Sequence, residues 1–393
     1  MVESLSFDDV LLIPRYSKFK SRSETDISVE FCGKKNATPL IMSPMTCVTS
    51  PEMMYFGINN GIVPTVHRYF RDVETQFNTV LYGLVEQIDL EHKGIDCLDW
   101  ENRIKNRDQT KVFDKVVMDK VKESIKEVYF SVGSVLKYKD WIDYLWSHGI
   151  RKFCVDMAHG DSLPCVKTVE YLRKKDADVK IIAGNVATSE GYKRLCESGA
   201  DAIRCSIGGG SACTTRMNTG FGVPNLTCLQ DISTVKHKDC KVIIDGGIRA
   251  VGDMTKSIVF GADMVMLGKI LASTSLSSGQ CYNYKKQPID KTKAHYDEII
   301  GDGNDVCYKE YNGMASEKSR NGILNYGSIE GVSGLLIYKG QTKKVVDDIK
   351  LNLHSALSYG GCKDFVSFRK KVKYNLLSNA SIVESGTHLD ITE

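Results

Sequence analysis

The sequence predicts an α/β protein, a (β/α)8 TIM barrel with an active-site flap and small insertions. Three observations along its 393 residues lead to this fold. Short apolar runs recur eight times, segments with helical periodicity separate the later runs, and small, polar and reactive residues follow the runs. Parallel strands need helical crossovers, and barrels of this type place their active sites at the carboxyl ends of the strands.

The eight apolar runs are the predicted barrel strands. They lie at residues 38–43, 61–66, 127–132, 151–156, 179–185, 200–205, 241–245 and 262–267. The helical segments between the later runs lie at residues 163–175, 189–198, 225–235 and 251–260. Each of these segments is long enough to cross back over a parallel sheet, which favours consecutive βα units.

Two charged stretches, at about residues 70–126 and 275–332, interrupt this alternation. The first contains a helical pattern whose apolar positions are Val112, Val116, Val117, Val121 and Ile125. We expect it to be partly a barrel helix and partly an elaboration. The second stretch is too long for a structureless connection and is predicted to be a flap over the site. Since no repeat or low-complexity linker is visible, a single domain over residues 1–393 is favoured.

Charge balance, apolar run lengths and cysteine spacing limit the partners and sites that we expect for this protein. The 52 basic and 49 acidic side chains nearly balance, and no basic block alternates with aromatic residues, so nucleic acid is not an expected partner. The amino terminus has no signal-peptide pattern, and no apolar run approaches the length of a membrane span, so we expect a cytoplasmic protein without a membrane partner. The 13 cysteines show neither zinc-site spacing nor a disulfide framework.

The loop after the sixth run carries the strongest chemical signal. It reads SIGGGSACTTR, so glycine, serine and alanine residues precede Cys213. Such a loop brings backbone N–H groups close to a phosphate, and a ligand held there would present its far end to the thiol. Thr214, Thr215 and Arg216 add two hydroxyl groups and a cation. A glycine turn with an ordinary cysteine is an equally weighted alternative for this loop alone.

The next two loops strengthen the prediction of a phosphate site. Asp245, Gly246 and Gly247 follow the seventh run, where the glycines permit close backbone approach and the carboxylate can accept hydrogen bonds from ribose hydroxyls. Gly268 and Lys269 follow the eighth run. Phosphate sites in TIM barrels are often built from these two loops. A plain turn and a solvated lysine remain the alternatives.

Taken together, these segments resemble the inosine-monophosphate dehydrogenase and GMP reductase family. The matching motifs are LSFDDVLLIPRYSKFKSRSETDIS, IMSPM, CVDMAHG, IIAGNVATSEG, GADAIRCSIGGGSACTTR, VIIDGGIRAVGD and FGADMVMLG. They occur in order through most of the chain. The resemblance implies a TIM barrel that binds a purine nucleoside monophosphate and a nicotinamide cofactor, and it implies a homotetramer.

The resemblance also implies roles for individual residues. Cys213 would attack C2 of the purine. The residues implied to hold the nucleotide are Met45, Ser211, Asp245, Gly246, Gly247, Gly268, Lys269, Tyr311, Gly313 and Met314. Asp156, with Ala158 and His159 beside it, would hold the cofactor. The main-chain carbonyls of Gly208, Gly210 and Cys213 would bind potassium in members that use it.

Three features favour the reductase branch, which converts GMP to IMP with NADPH. The insertion after the second run is too short for the CBS domain pair usual in dehydrogenases. The adjacent Arg-Tyr pair with which dehydrogenases activate water looks absent, because Arg320 and Tyr326 lie apart. Glu317 stands where reductases carry an acid that works with Thr215 to protonate the leaving amine.

Alternatives remain open at this stage. An IMP dehydrogenase with an unusual water-activating residue and a catalytically inactive nucleotide-binding barrel would share most of these motifs. Arg68 follows the second run, where it would contact either the cofactor phosphates or a rim carboxylate. Thr46 and Lys269 depart from the usual family residues, and the charged segments 86–107 and 280–305 have no assigned counterpart. These departures leave room for a different purine nucleotide, such as a deoxynucleotide.

Overall fold

The computed structural model describes residues 4–93, 114–290, 293–296, 300–314, 316 and 331–385. At its centre is an eight-stranded parallel sheet. Its strands are β1 (Leu40–Met42), β2 (Thr65–Val66), β3 (Tyr129–Val132), β4 (Lys152–Asp156), β5 (Lys180–Val186), β6 (Ala202–Cys205), β7 (Lys241–Asp245) and β8 (Met264–Leu267). Each strand coincides with one of the eight predicted runs, so the strand prediction is confirmed.

The sheet closes into a barrel. Neighbours along the chain pair in parallel from β2 through β8, and β8 then pairs with β1. Ile41 pairs with Val63 just before β2, where the Met42 N–H donates to the Val63 carbonyl at 3.0 Å. The Val63 N–H in turn donates to the Leu40 carbonyl at 3.0 Å. These bonds join the first two strands, so the predicted (β/α)8 TIM barrel is confirmed.

Helices surround the barrel. They are α1 (Pro51–Asn60), α2 (Val73–His92), α3 (Lys115–Ile125), α4 (Val135–Ser147), α5 (Leu163–Lys175), α6 (Ser189–Glu197), α7 (Thr215–Thr219), α8 (Asn225–Ser233), α9 (Val251–Val259), α10 (Lys269–Ala272), α11 (Thr342–Tyr359), α12 (Phe365–Lys371) and α13 (Asn379–Glu384). The four predicted crossover helices correspond to α5, α6, α8 and α9, which end at or within two residues of the predicted boundaries. No helix among the described residues is long and apolar enough to cross a membrane.

The first insertion forms the pair α2 and α3. The buried face of α3 includes Val117 and Val121, as the helical pattern predicts. Val116 points away and is 61% exposed, which corrects its assignment to the apolar face. The buried face of α3 is narrower than the predicted set of apolar positions, because α3 packs mainly against α2. Ile125 is half-buried, and Val112 lies outside the described residues.

The second insertion contains an antiparallel sheet rather than loop alone. Its strands are β9 (Cys281–Tyr282), β10 (Pro288–Ile289), β11 (Tyr308–Asn312) and β12 (Ser333–Ile337), in the spatial order β10, β9, β11, β12. Cys281, Ile289 and Val306 form a small apolar cluster beneath it. The flap predicted over residues 275–332 therefore has a folded base, and its closing movement stays a prediction.

A hairpin covers the amino-terminal end of the barrel. Its strands, Val29–Phe31 and Lys34–Asn36, place Phe31 against barrel residues that include Ile41 and Tyr129. The cavity described below opens at the opposite, carboxyl-terminal end.

Candidate active site

A cavity of about 270 Å³ opens at the carboxyl-terminal end of the barrel. Residues directly after the strands line it, among them Ser43 after β1, Met157 after β4, Ser206 after β6 and Gly268 after β8. Residues at strand ends converge here because parallel strands point the same way. This end of the barrel is the one at which the sequence predicts the site.

Most of the predicted site residues line this cavity. They are Met45, Arg68, Asp156, Ala158, Gly208, Gly210, Ser211, Cys213, Thr215, Asp245, Gly246, Gly247, Gly268, Lys269, Tyr311, Gly313 and Met314. His159 is exposed beside Ala158 and is not among the lining residues. Glu317 lies outside the described residues, as do Arg320 and Tyr326. The structure thus gathers residues from seven separate segments of the chain, while their individual roles stay predictions.

Cys213 sits on the short loop between β6 and α7. Its N–H donates to the Gly210 carbonyl at 3.0 Å, which fixes the turn that carries the thiol. The thiol is half-buried and donates a hydrogen bond to the Thr215 hydroxyl, with 3.2 Å between Sγ and Oγ1. A partly exposed thiol on the cavity wall meets the access requirement of a nucleophile.

The loops after β6 and β7 touch through their backbones. Gly246 and Gly247 have φ angles of +98° and +78°, in the left-handed region that favours glycine. A Cβ on Gly246 would lie 2.9 Å from the Gly210 nitrogen, and a Cβ on Gly247 would lie 2.9 Å from the Gly209 carbonyl oxygen. Only glycine permits this approach, which builds the backbone-lined recess predicted to hold phosphate.

Asn225, at the start of α8, ties these two loops together. Its Oδ1 accepts a hydrogen bond from the Ser206 hydroxyl at 2.7 Å, and its Nδ2 donates to the Gly246 carbonyl at 3.0 Å. Asn225 is buried, so its bond with Ser206 is shielded from water, while its bond with Gly246 is partly buried. The sequence-based prediction missed Asn225, because nothing in its neighbourhood indicates that it faces two distant loops.

A row of charged side chains crosses the floor of the cavity. Arg204 Nη1 donates to Asp156 Oδ1 at 2.6 Å, and Arg204 Nη2 donates to Asp245 Oδ2 at 2.7 Å. Arg68 Nε lies 3.3 Å from Asp156 Oδ2 at one end of the row. Asn185 Nδ2 donates to Asp245 Oδ2 at 2.9 Å at the other end. Two cations and two carboxylates thus alternate below the space where ligands would bind.

The ion pairs of this row shift the pKa values of Asp156 and Arg204 toward their charged forms. Burial by itself raises the pKa of Asp156, but the positive charges of Arg204 and then Arg68 outweigh it, and the pKa is lowered from its usual value. Burial likewise opposes the charge of Arg204, yet Asp245 and Asp156 raise its pKa well above the usual value. Asp156 is therefore a carboxylate, a hydrogen-bond acceptor, at neutral pH.

The Arg68 guanidinium forms an ion pair with the Asp156 carboxylate. Besides Asp156, it contacts Tyr69, whose ring centroid lies 4.5 Å from the guanidinium carbon. Of the two alternatives for Arg68, the structure places it against the rim carboxylate. Contact with cofactor phosphates stays a prediction.

Arg204 and Asn185 were also missed from the sequence. A signal for Arg204 did exist, because a charged residue interrupts the otherwise apolar strand β6, AIRC. An arginine in a barrel strand must reach a carboxylate or water, since an isolated buried charge is strongly unfavourable. Asn185 gave no comparable signal, because a polar residue is common at the end of a strand.

The flap sheet forms one wall of the site. Tyr311 of β11 is buried and donates to Met45 Sδ at 3.9 Å, and burial raises the pKa of its phenol. The Val332 N–H donates to the Ala212 carbonyl, and the Gly313 N–H donates to the Val332 carbonyl, both at 3.0 Å. The base of the flap is thus hydrogen bonded to the loop that carries the predicted nucleophile.

No group of three or more His, Cys, Asp or Glu residues in the described part of the chain is arranged to hold a metal ion. Of the described cysteines, eight are buried and four are partly buried. Most therefore behave as small apolar residues, as the scattered spacing predicts.

Comparison with known proteins identifies the relatives. A family model described as "IMP dehydrogenase / GMP reductase domain" matches residues 4–388. An inosine-5'-monophosphate dehydrogenase of Cryptosporidium parvum is 31% identical over 406 residues, which cover 98% of this chain and 95% of the relative. A GMP reductase of Lactobacillus johnsonii is 29% identical over 372 residues, which cover 94% and 93%. Both activities thus occur among relatives at similar identity.

Proposed function

The chain belongs to the IMP dehydrogenase/GMP reductase family of oxidoreductases, and from this premise we propose that it is a GMP reductase that converts GMP to IMP and ammonia with NADPH. The observation that carries the proposal is the Thr215 hydroxyl, 3.2 Å from the Cys213 thiol. In the sequence, Glu317 follows the cavity-lining pair Gly313 and Met314 by only a few residues. A thiol, a hydroxyl and a carboxyl acid are the groups that removal of an amine from C2 requires.

The nucleotide is proposed to lie with its phosphate in the recess between Gly209–Gly210 and Gly246–Gly247. Backbone N–H groups there approach an anion closely, because no Cβ intervenes. Asp245 accepts hydrogen bonds from the ribose hydroxyls. This orientation directs the purine toward Cys213, and Met45 and Met314 offer apolar contact to it.

The cofactor is proposed to lie on the side of Asp156 and Ala158. The ionised Asp156 carboxylate suits the hydroxyls of the nicotinamide ribose. NADPH bound there supplies the hydride that replaces the amine at C2. Arg68 holds Asp156 in place from the outer side.

The covalent step belongs to Cys213. In its thiolate form Cys213 forms a bond from sulfur to C2 of GMP, and the bond from C2 to the exocyclic nitrogen breaks. The amine leaves as ammonia after taking a proton from Glu317, which acts with Thr215. Once hydride has reached C2, the electron pair of the C–S bond returns to sulfur and IMP is released.

Two parallel assays test this proposal. The enzyme is incubated with GMP and NADPH and, separately, with IMP and NAD, while the absorbance of the reduced nicotinamide is followed. Consumption of NADPH with release of ammonia is expected in the first mixture, and no NADH should form in the second. NADH formation from IMP, without activity on GMP, would overturn the proposal.

The second outcome identifies the second candidate, an IMP dehydrogenase. It is supported by the 31% identity to the Cryptosporidium parvum dehydrogenase along nearly the whole chain. Absence of turnover in both mixtures, with intact nucleotide binding, would instead indicate a catalytically inactive barrel. Repeating the first assay with dGMP tests whether a deoxynucleotide is preferred.

Two further family properties are proposed for this chain. Potassium would bind carbonyls of the Cys213 loop, including those of Gly208 and Gly210, since carbonyl oxygens are suitable ligands for such a cation. The Gly210 carbonyl accepts the Cys213 N–H and keeps a second lone pair for this purpose. Turnover in potassium and sodium buffers tests it, and sedimentation tests the expected homotetramer. A cytoplasmic location also stays an expectation.

A further inference from the structure

Arg204 holds two carboxylates that face different parts of the cavity. It lies on β6 with its side chain inside the barrel, where only 7% of that side chain is exposed. One guanidinium nitrogen contacts Asp156 at 2.6 Å, and Nη2 and Nε contact Asp245 at 2.7 and 3.2 Å. The planar fork of arginine allows one side chain to orient both groups at once.

The other partners of the two carboxylates cannot replace it. Arg68 contacts Asp156 at a longer distance of 3.3 Å. Asn185 contacts Asp245 but carries no charge. In the described part of the chain, Arg204 is the cationic side chain that is paired with Asp245. Its loss would leave that carboxylate, 13% exposed, without a counter-ion.

We propose that Arg204 is a positioning residue that fixes Asp156 and Asp245 in the orientations in which they accept ribose hydroxyls of the cofactor and of the purine nucleotide. It sets the affinity for both ligands and takes no part in bond making at C2. This inference deepens the proposed function and rests on its placement of the two riboses. The inference is the same whether the enzyme reduces GMP or oxidises IMP.

Three variants separate positioning from mere structural support. Arg204→Met keeps the apolar length of the side chain and removes both ion pairs. Arg204→Lys restores the charge without the fork, so that only one carboxylate keeps its partner. Arg173→Met serves as the matched control, because Arg173 is partly buried and contacts Asp201 Oδ2 at 2.7 Å near the opposite end of the barrel.

Isothermal titration calorimetry measures binding without turnover. GMP is titrated first, and NADP+ is then titrated into the GMP complex, a pair that cannot complete turnover because NADP+ carries no hydride to donate. We expect Arg204→Met to raise both dissociation constants about tenfold or more, the equivalent of about 1.4 kcal/mol for each ligand. Arg204→Lys is expected to weaken the two ligands by smaller and unequal factors. Arg173→Met is expected to lower the melting temperature while both constants stay near the wild-type values.

Two results would overturn the inference. One is that Arg204→Met binds GMP and NADP+ as the wild type does, and the other is that Arg173→Met weakens binding as strongly as Arg204→Met. Should Arg204→Met not fold, Arg204→Lys decides, since unchanged binding of both ligands by that variant contradicts the need for a fork. IMP with NADH is a second pair of ligands that cannot complete turnover and can be used in the same titration. It tests Arg204 equally well in a protein that fails to reduce GMP, so failure of the proposed function is recognised separately.

Discussion

Replacing Asn225 with alanine removes the side chain that connects the loop after β6 to the loop after β7. Two hydrogen bonds disappear, a buried one from the Ser206 hydroxyl at 2.7 Å and a partly buried one to the Gly246 carbonyl at 3.0 Å. The backbone recess proposed to hold phosphate depends on the contact between these loops. The variant should therefore loosen the recess without touching the thiol or the carboxylates.

The expected loss of stability follows from the two bonds. The buried Ser206 hydroxyl, in a residue only 2% exposed, loses its partner at a cost of about 1–3 kcal/mol, and the half-buried Gly246 carbonyl loses a hydrogen bond worth about 1 kcal/mol, so about 2–4 kcal/mol is expected in total. A chain of 393 residues has an unfolding entropy of roughly 0.8 kcal/mol per degree. The melting temperature should fall by about 2–5 °C.

The functional effect distinguishes this position from an ordinary buried asparagine. Since binding energy from the phosphate is lost, KM for the nucleotide should rise about tenfold or more, whereas kcat falls less. Asn283→Ala is the matched control. Asn283 is similarly buried, its Oδ1 accepts a hydrogen bond from the Gln287 N–H and its Nδ2 donates to the Gly303 carbonyl, but it does not line the cavity.

Steady-state kinetics and thermal unfolding on the two variants decide the question. Both should lose comparable stability, and only Asn225→Ala should show the raised KM. If the two variants have the same KM, or if Asn225→Ala binds GMP as tightly as the wild type, the link between this side chain and the recess is wrong.

Three further outcomes are expected. Cys213→Ala should abolish NADPH consumption while calorimetry finds GMP affinity changed less than about threefold, and residual turnover would mean that the thiol is misassigned. Gly247→Ala should cost about 1–2 kcal/mol for the left-handed φ of +78° and should raise KM for the nucleotide, because the new Cβ would lie 2.9 Å from the Gly209 carbonyl oxygen. The pKa of Asp156 is lowered from 3.8 in the fold, so this carboxylate stabilises the protein above that pH and its contribution is lost as the pH falls through the lower, folded-state pKa. Melting temperatures measured toward acid pH should therefore fall less steeply for Asp156→Asn than for the wild type, and equal slopes would refute the assignment.

The barrel was accessible from sequence because its signal is local. Each strand is a short apolar run that ends in polar or small residues, and burial on both faces of a parallel strand requires that pattern. The Cys213 loop by itself left an ordinary glycine turn equally weighted, and it was the motifs after the neighbouring strands that favoured a nucleotide site there. Each of these motifs consists of residues adjacent in the chain.

The ion pairs of Arg204 and the hydrogen bonds of Asn225 depend instead on residues far apart in the chain. Arg204 meets Asp156 and Asp245 only because β4, β6 and β7 end at the same rim, and the distances that join them arise from closure of the barrel. The exposure of Val116 has a similar origin, since the periodicity of a helix shows which residues share a face and not how wide its partner is.

Closure of the barrel has a consequence for how the chain is made. Leu40 of β1 pairs with Val265 of β8. During synthesis, β1 therefore cannot pair with β8 until more than 220 further residues have been added. Until then the nascent sheet has an unpaired strand at each edge, the kind of surface on which chains associate wrongly. Substitutions that weaken β8 should therefore reduce the yield of folded protein during expression, even where the finished enzyme retains its activity.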